Sequence, residues 1–146
     1  MQQLRVAHGD EIIRERISAQ KPMIGICVGM QILFDSGSEK AGSPGLGVFD
    51  GEVSQLDAPI LPHIGWNNVQ ASENSQLFAG LHNEMFYFVH SFAAKSPVQE
   101  AFNSWCTYQK VFLAAVERGP VSAVQFHPEK SGAVGATLIA NWTKSL

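Results

Sequence analysis

Met23-Ile24-Gly25-Ile26-Cys27-Val28-Gly29-Met30-Gln31 opens as an apolar run behind Lys21-Pro22, the pattern of a fully buried strand over residues 22–27. Helical character follows at once over residues 29–34, so the chain must turn sharply from strand to helix at Cys27. Gly25 and Gly29 flank the cysteine in the form of a nucleophile elbow, with a thiol in place of a hydroxyl. Glycine suits both flanks because such a turn leaves little room for side chains. An elbow sets the thiol at the amino end of the next helix, where the dipole and free amides favour the reactive thiolate. The Val28 amide would then face a substrate carbonyl oxygen as one donor of an oxyanion hole. On its own the pentapeptide also describes a small buried thiol.

Upstream, residues 10–19 predict an amphipathic helix, with Ile12, Ile13 and Ile17 recurring among Glu11, Arg14, Glu15 and Arg16. Downstream, the Gly-, Ser- and Pro-rich residues 36–47 predict a loop. Strands are expected at 48–56, 66–69, 86–89, 111–117 and 121–126. A closing helix is expected over 133–144, with Leu138, Ile139 and Trp142 on its buried face. A strand running into a helix, with more strands after it, predicts an α/β domain with a largely parallel central sheet. At 146 residues and 45% apolar composition the chain suffices for one domain, 1–146, and not for two.

The net charge of −3 and ten scattered Lys and Arg residues lack the basic surface of a nucleic-acid binder or a membrane patch. No apolar stretch approaches a bilayer span. His8, Asp10, Glu11 and Arg14 stand where a signal peptide would need an apolar block, so a cytoplasmic location is expected. Cys27 and Cys106 are too sparse for a disulfide scaffold, and no metal spacing joins the histidines; no metal and no cofactor are expected. Cys106 reads as a buried or incidental thiol, His8 and His82 as surface residues, and His63 as a hydrogen-bonding residue without chemistry.

Gln125-Phe126-His127-Pro128-Glu129 ends an apolar strand pattern with an imidazole and a carboxylate two positions apart. Extended residues at that spacing point the same way, so Glu129 can orient His127 and stabilise its cation. Pro128 fixes one dihedral between them. A nucleophilic cysteine needs such a base, and the base needs a third group to hold its tautomer. His-Pro-Glu alone would also suit a surface turn; an elbow cysteine followed by a strand-end His-x-Glu is far more specific.

The sequence resembles the class I (triad-type) glutamine amidotransferases, most closely the HisH-type glutaminase subunits of imidazole glycerol phosphate synthase. The resemblance rests on residues 25–34, Gly45-Leu46-Gly47, Leu61-Pro62-His63-Ile64-Gly65-Trp66-Asn67, Tyr87-Phe88-Val89-His90-Ser91-Phe92 and residues 125–131, in family order over nearly the whole chain. It implies a flavodoxin-like three-layer fold. It implies that Cys27 attacks the carboxamide of glutamine, that His127 carries the proton to the departing ammonia, and that Glu129 holds His127. By the same resemblance Val28 lends its amide to the oxyanion, and Gly25, Gln31, His90, Ser91 and Phe92 bind L-glutamine. The ammonia would pass to a (β/α)8-barrel cyclase subunit of the HisF type. Trp66, Asn67, Tyr87 and Lys130 match positions at that subunit interface, with Lys130 as its charged contact. Without the motif, Trp66 and Tyr87 would read as core aromatics and Lys130 as a solvated charge.

One departure stands out: no Pro-Gly-x-Gly loop precedes Asp10, so the resemblance implies a domain lacking its N-terminal βαβ portion. That loop would carry the second oxyanion amide, and losing one donor typically costs about 10²–10³ in turnover. It would also expose a sheet edge to self-association. Val28 stands where leucine is commoner. The competing readings are a catalytically silent remnant that only binds, a glutaminase subunit of another amidotransferase, and a cysteine hydrolase of the α/β-hydrolase type. In the last, the acid should precede the histidine; here it follows by two residues.

Overall fold

The computed structural model describes residues 1–39, 42–144 and 146; positions 40 and 41 of the predicted 36–47 loop lie outside that description. In chain order the elements are α1 (Gln2–Val6), α2 (Gly9–Ser18), β1 (Met23–Ile26), α3 (Val28–Gln31), β2 (Phe34–Gly37), β3 (Ser43–Pro44) and β4 (Phe49–Gln55). They continue with β5 (His63–Asn68), β6 (Met85–His90), β7 (Phe92–Ala94), β8 (Phe102–Tyr108), β9 (Lys110–Arg118) and β10 (Val121–Val124). A 3-10 turn over Pro128–Lys130 and α4 (Gly132–Thr143) complete the described elements.

The strands form a four-stranded sheet in the order β1-β10-β9-β8, a second in the order β3-β2-β4-β7, and the pair β5-β6. The expected largely parallel sheet is corrected. Among the described residues β1 with β10 and β2 with β4 pair parallel, and the other ladders are antiparallel. The physical reason is connection length: β8, β9 and β10 follow one another through tight turns at Gln109 and Gly119, both at positive φ, and short links close antiparallel pairs.

Phe112, Leu113, Ala114, Ala115 and Val116 of β9 are all buried because each face of the main sheet carries its own core. One core gathers Phe86, Phe88, Phe126 and Leu138 of α4. The other gathers Met30, Leu33, Phe34 and Phe49, with Leu4, Ile13 and Ile17 of α1 and α2 against it. Ile12, expected on the apolar face of α2, is exposed. On α4 Leu138 is fully buried and Ile139 and Trp142 are partly so.

Element boundaries also differ from expectation, most of all at two places. The helix after Cys27 lasts one turn, and the apolar 32–34 run leads into β2, where Leu33 O accepts from the amides of Val48 and Phe49. Short apolar runs do not distinguish helix from strand by period alone. The described part of the expected 36–47 loop contains the end of β2 and all of β3, and Gly45 sits so tightly that a Cβ there would collide with Phe34 O. No helix among the described residues is long and apolar enough to cross a membrane.

Candidate active site

Cys27 follows the last residue of β1 and has φ 52°, ψ −108°, a bend that side-chain-bearing residues rarely adopt. The bend is held from both sides: the Cys27 amide donates to Val124 O at 2.8 Å, and Cys27 O accepts from the amides of Met30 and Gln31. Gly25 is required beneath it, since a Cβ there would lie 2.6 Å from Gly29 O. Gly29 does not share that constraint, because a Cβ on it would meet open space.

His127 lies just beyond β10, the parallel neighbour of β1, so nucleophile and imidazole emerge at the carboxyl ends of adjacent strands. Strand β6 ties both down. The Cys27 thiol donates to Val89 O at 3.8 Å, and the His127 amide donates to Tyr87 O at 2.9 Å. Two strand residues separate these anchors by roughly 7 Å. His127 Nδ1 is 2.6 Å from Glu129 Oε1, which fixes Nδ1 as the donor and leaves Nε2 as the basic nitrogen. Glu129 reaches back from the 3-10 turn, not from an extended strand as its spacing suggested. Ser131 locks the turn: Oγ donates to His127 O at 2.7 Å and accepts from the Tyr87 amide at 3.0 Å.

Burial raises the thiol pKa of Cys27 above its ordinary value, and the Glu129 charge adds to the rise. The Val28 amide, the Gln125 side chain and the Lys130 charge pull the other way without prevailing. The expected preference for thiolate at the helix end is therefore corrected for the free protein. A single helical turn has little dipole, and partial burial outweighs it.

Gln125 is the functional candidate that sequence reasoning passed over. It is fully buried; its Nε2 lies 3.6 Å from Cys27 Sγ, and its Oε1 accepts from Gln31 Nε2 at 3.0 Å. Gln31 Nε2 also donates to Phe92 O at 2.8 Å. A cavity of about 230 Å³ opens beside the elbow, with Val28, Gln31, Ser36, Gly45 and Phe92 in its wall. The Ser91 and Phe92 carbonyls are already occupied, by the Leu56 amide in one case and by Gln31 and His90 in the other. A second cavity, about 400 Å³, lies by Pro22, Pro120 and Trp142 at the amino ends of β1 and β10, away from the thiol.

On β5, Trp66 is half exposed and meets Tyr87 edge to face at 5.9 Å. Neither is a core aromatic. Ile64 and Met85 are exposed on the same β5-β6 pair, an apolar surface the sequence did not flag. Lys130 is exposed next to the site; Asn67 donates to Thr107 O at 2.9 Å. Cys106 is buried in β8, its pKa pushed up to about 12 by burial. His8 is exposed beside Glu11, and His82 is exposed.

Residues 4–145 match the model of the family described as glutamine amidotransferase class-I. Two curated relatives bear the name imidazole glycerol phosphate synthase subunit HisH. One, from Leifsonia xyli subsp. xyli, is 50% identical over 98% of this chain and 72% of its own length. The other, from Streptomyces coelicolor, is 48% identical over all of this chain and 70% of its own length. Among solved structures, a glutamine amidotransferase aligns with a TM-score of 0.70 at 16% identity, over 96% of this chain and 71% of that one. Another, from Thermotoga maritima, aligns at 0.61 and 20%, over 96% and 53%. At such identities these two establish the shared fold.

Proposed function

The chain belongs to the class-I glutamine amidotransferases, and from that premise we propose that it is the glutaminase subunit of an imidazole glycerol phosphate synthase, releasing ammonia from L-glutamine through Cys27, His127 and Glu129. The observation that carries the reading is the strained Cys27 bend beside a 2.6 Å His127–Glu129 pair. His127 Nε2 takes the thiol proton, and Sγ attacks the carboxamide carbon of glutamine. The carbonyl oxygen gains the negative charge, for which the Val28 amide is the proposed donor. The intermediate collapses as the imidazolium returns the proton to the departing nitrogen, which leaves as ammonia. Water, deprotonated by the same imidazole, then cleaves the thioester to glutamate and restores the thiol. Glu129 keeps the imidazole in its tautomer and offsets its charge throughout.

The substrate sits, in this reading, in the cavity beside the elbow, where Val28, Gln31 and Phe92 are in the wall and Gly25, His90 and Ser91 are not. The exposed Ile64, Trp66 and Met85, with Tyr87 packed against Trp66 and Lys130 as the charged contact, support a docking face for a (β/α)8-barrel cyclase that consumes the ammonia. Asn67 turns to the other face of β5, toward His63 and Thr107. The raised thiol pKa and the thiol's hydrogen bond to Val89 O favour low turnover by the subunit alone. Strand β1 is the edge of its sheet and offers room for pairing with a second copy, which sedimentation of the purified chain tests.

The assay is release of glutamate and ammonia from L-glutamine, with and without such a cyclase. Turnover is expected to rise when the cyclase is present and to disappear in Cys27→Ala. Hydrolysis that survives Cys27→Ala would refute the reading.

A further inference from the structure

Beneath the candidate glutamine pocket lies a line of hydrogen bonds whose direction is fixed at both ends. At one end Phe92 O, a backbone carbonyl, can only accept, so His90 Nδ1 at 2.9 Å must carry a proton. A neutral imidazole then has a bare Nε2, and the partner 3.0 Å from it, His63 Nδ1, must donate. His63 is thereby left with a bare Nε2, which needs a donor. The group facing it is Asn67 Nδ2, at 3.4 Å. The orientation of that amide is set independently: Nδ2 donates to Thr107 O and Oδ1 accepts from the Asn68 amide, both at 2.9 Å. Two unrelated anchors thus demand the same polarity.

Both rings are all but buried, His63 at 3% and His90 at 6% exposure. His63 is sandwiched by Tyr108 at 4.0 Å and Phe88 at 5.0 Å, both nearly parallel to it, so its ring is not free to turn over. Burial depresses both histidines to a pKa of about 4, so at neutral pH the tautomer, not the charge, is the variable. At its far end the line meets the pocket, because the same Phe92 O accepts Gln31 Nε2 at 2.8 Å.

We propose that His63 and His90 are positioning residues, each held as the Nδ1–H tautomer, that join the Asn67 amide to the Phe92 carbonyl and so hold Gln31 against the bound glutamine. If His90 carried its proton on Nε2, a lone pair on Nδ1 would face Phe92 O, and the carbonyl that anchors Gln31 would be repelled. The proposal rests on the reading of Gln31 as a glutamine contact. The tautomers themselves are properties of the free protein.

The test has two parts. Two-bond ¹H–¹⁵N correlations on the full ¹⁵N-labelled chain without substrate report which ring nitrogen is protonated; Nδ1–H is expected on both rings, the form that histidine in water populates less. L-glutamine affinity is then measured by calorimetry in a Cys27→Ala parent, which cannot turn it over. Asparagine can present a donor where Nδ1 stood and glutamine one where Nε2 stood. His90→Asn should therefore bind L-glutamine about 3–10-fold more tightly than His90→Gln, the effect of one hydrogen bond. An Nε2–H form on either ring, or equal affinity of the two variants, would overturn the relay. A parent that keeps both tautomers yet fails to bind L-glutamine would instead overturn the assignment of the pocket.

Discussion

Burial holds the Cys27 thiol above its ordinary pKa, while two neighbouring charges act on it in opposite senses, Glu129 raising it and Lys130 lowering it. The signs separate the electrostatic role of Glu129 from its role in orienting His127. Replacing Glu129 by Gln removes a negative charge, so the pH at which Cys27 is alkylated by iodoacetamide should fall. Glutamine turnover should drop at the same time, by about 10²–10⁴-fold, because His127 loses its orienting partner. Lys130→Gln should move the alkylation midpoint upward. A Glu129→Gln chain that alkylates at a higher pH than the wild type would show that the carboxylate does not bear on the thiol. Cys27, His127 and Glu129 were legible in the sequence because each is a chemistry-bearing residue within a local motif. Gln125 stood in the quoted motif but passed unnoticed, since its meaning comes from contact with Gln31, 94 positions away. His63 and His90 were likewise legible singly and not as a pair, because their contact spans two strands.

The elbow is an element-scale device, and its two glycines do different work. Gly25→Ala places a Cβ 2.6 Å from the Gly29 carbonyl oxygen, a backbone atom that cannot move without disturbing Cys27. It should lower unfolding free energy by about 1–3 kcal/mol. Gly29→Ala meets nothing within 4 Å and lies inside α3, so its effect on stability should be within about 1 kcal/mol and of either sign. Urea denaturation of the two variants checks the contrast; equal destabilisation would contradict it. The strand before Cys27, the bend and the closing helix were readable from local pattern. The parallel sheet was over-predicted because the strand-to-helix step at Cys27 was extended to the strands that follow, which short links instead close as antiparallel pairs. Strand β8 was missed because Asn103, Ser104 and Thr107 interrupt its apolar residues; it is held by its ladder with β9 and not by its composition.

Across the whole molecule, two cores clamp the main sheet, and the buried histidine pair lies within the one built on β6, β9 and α4. Folding carries His63 and His90 from an ordinary pKa of 6.5 to about 4. Between those values the unfolded chain binds more protons than the folded one, so stability rises with pH there and falls on acidification. The melting temperature should therefore drop from pH 6.5 toward pH 4, with a shallower slope in His63→Gln; equal slopes would place the acid sensitivity elsewhere. The family was legible from five ordered motifs, whereas the apolar Ile64 and Met85 face was not, because exposure is a property of the assembled pair of strands. The central claim, a glutamine-directed thiol at Cys27, is tested most directly by treating the chain with a diazoketone analogue of glutamine and mapping the adduct by mass spectrometry. One adduct is predicted, on Cys27, suppressed by excess L-glutamine. An adduct on Cys106, or labelling of Cys27 that L-glutamine leaves unchanged, would contradict it.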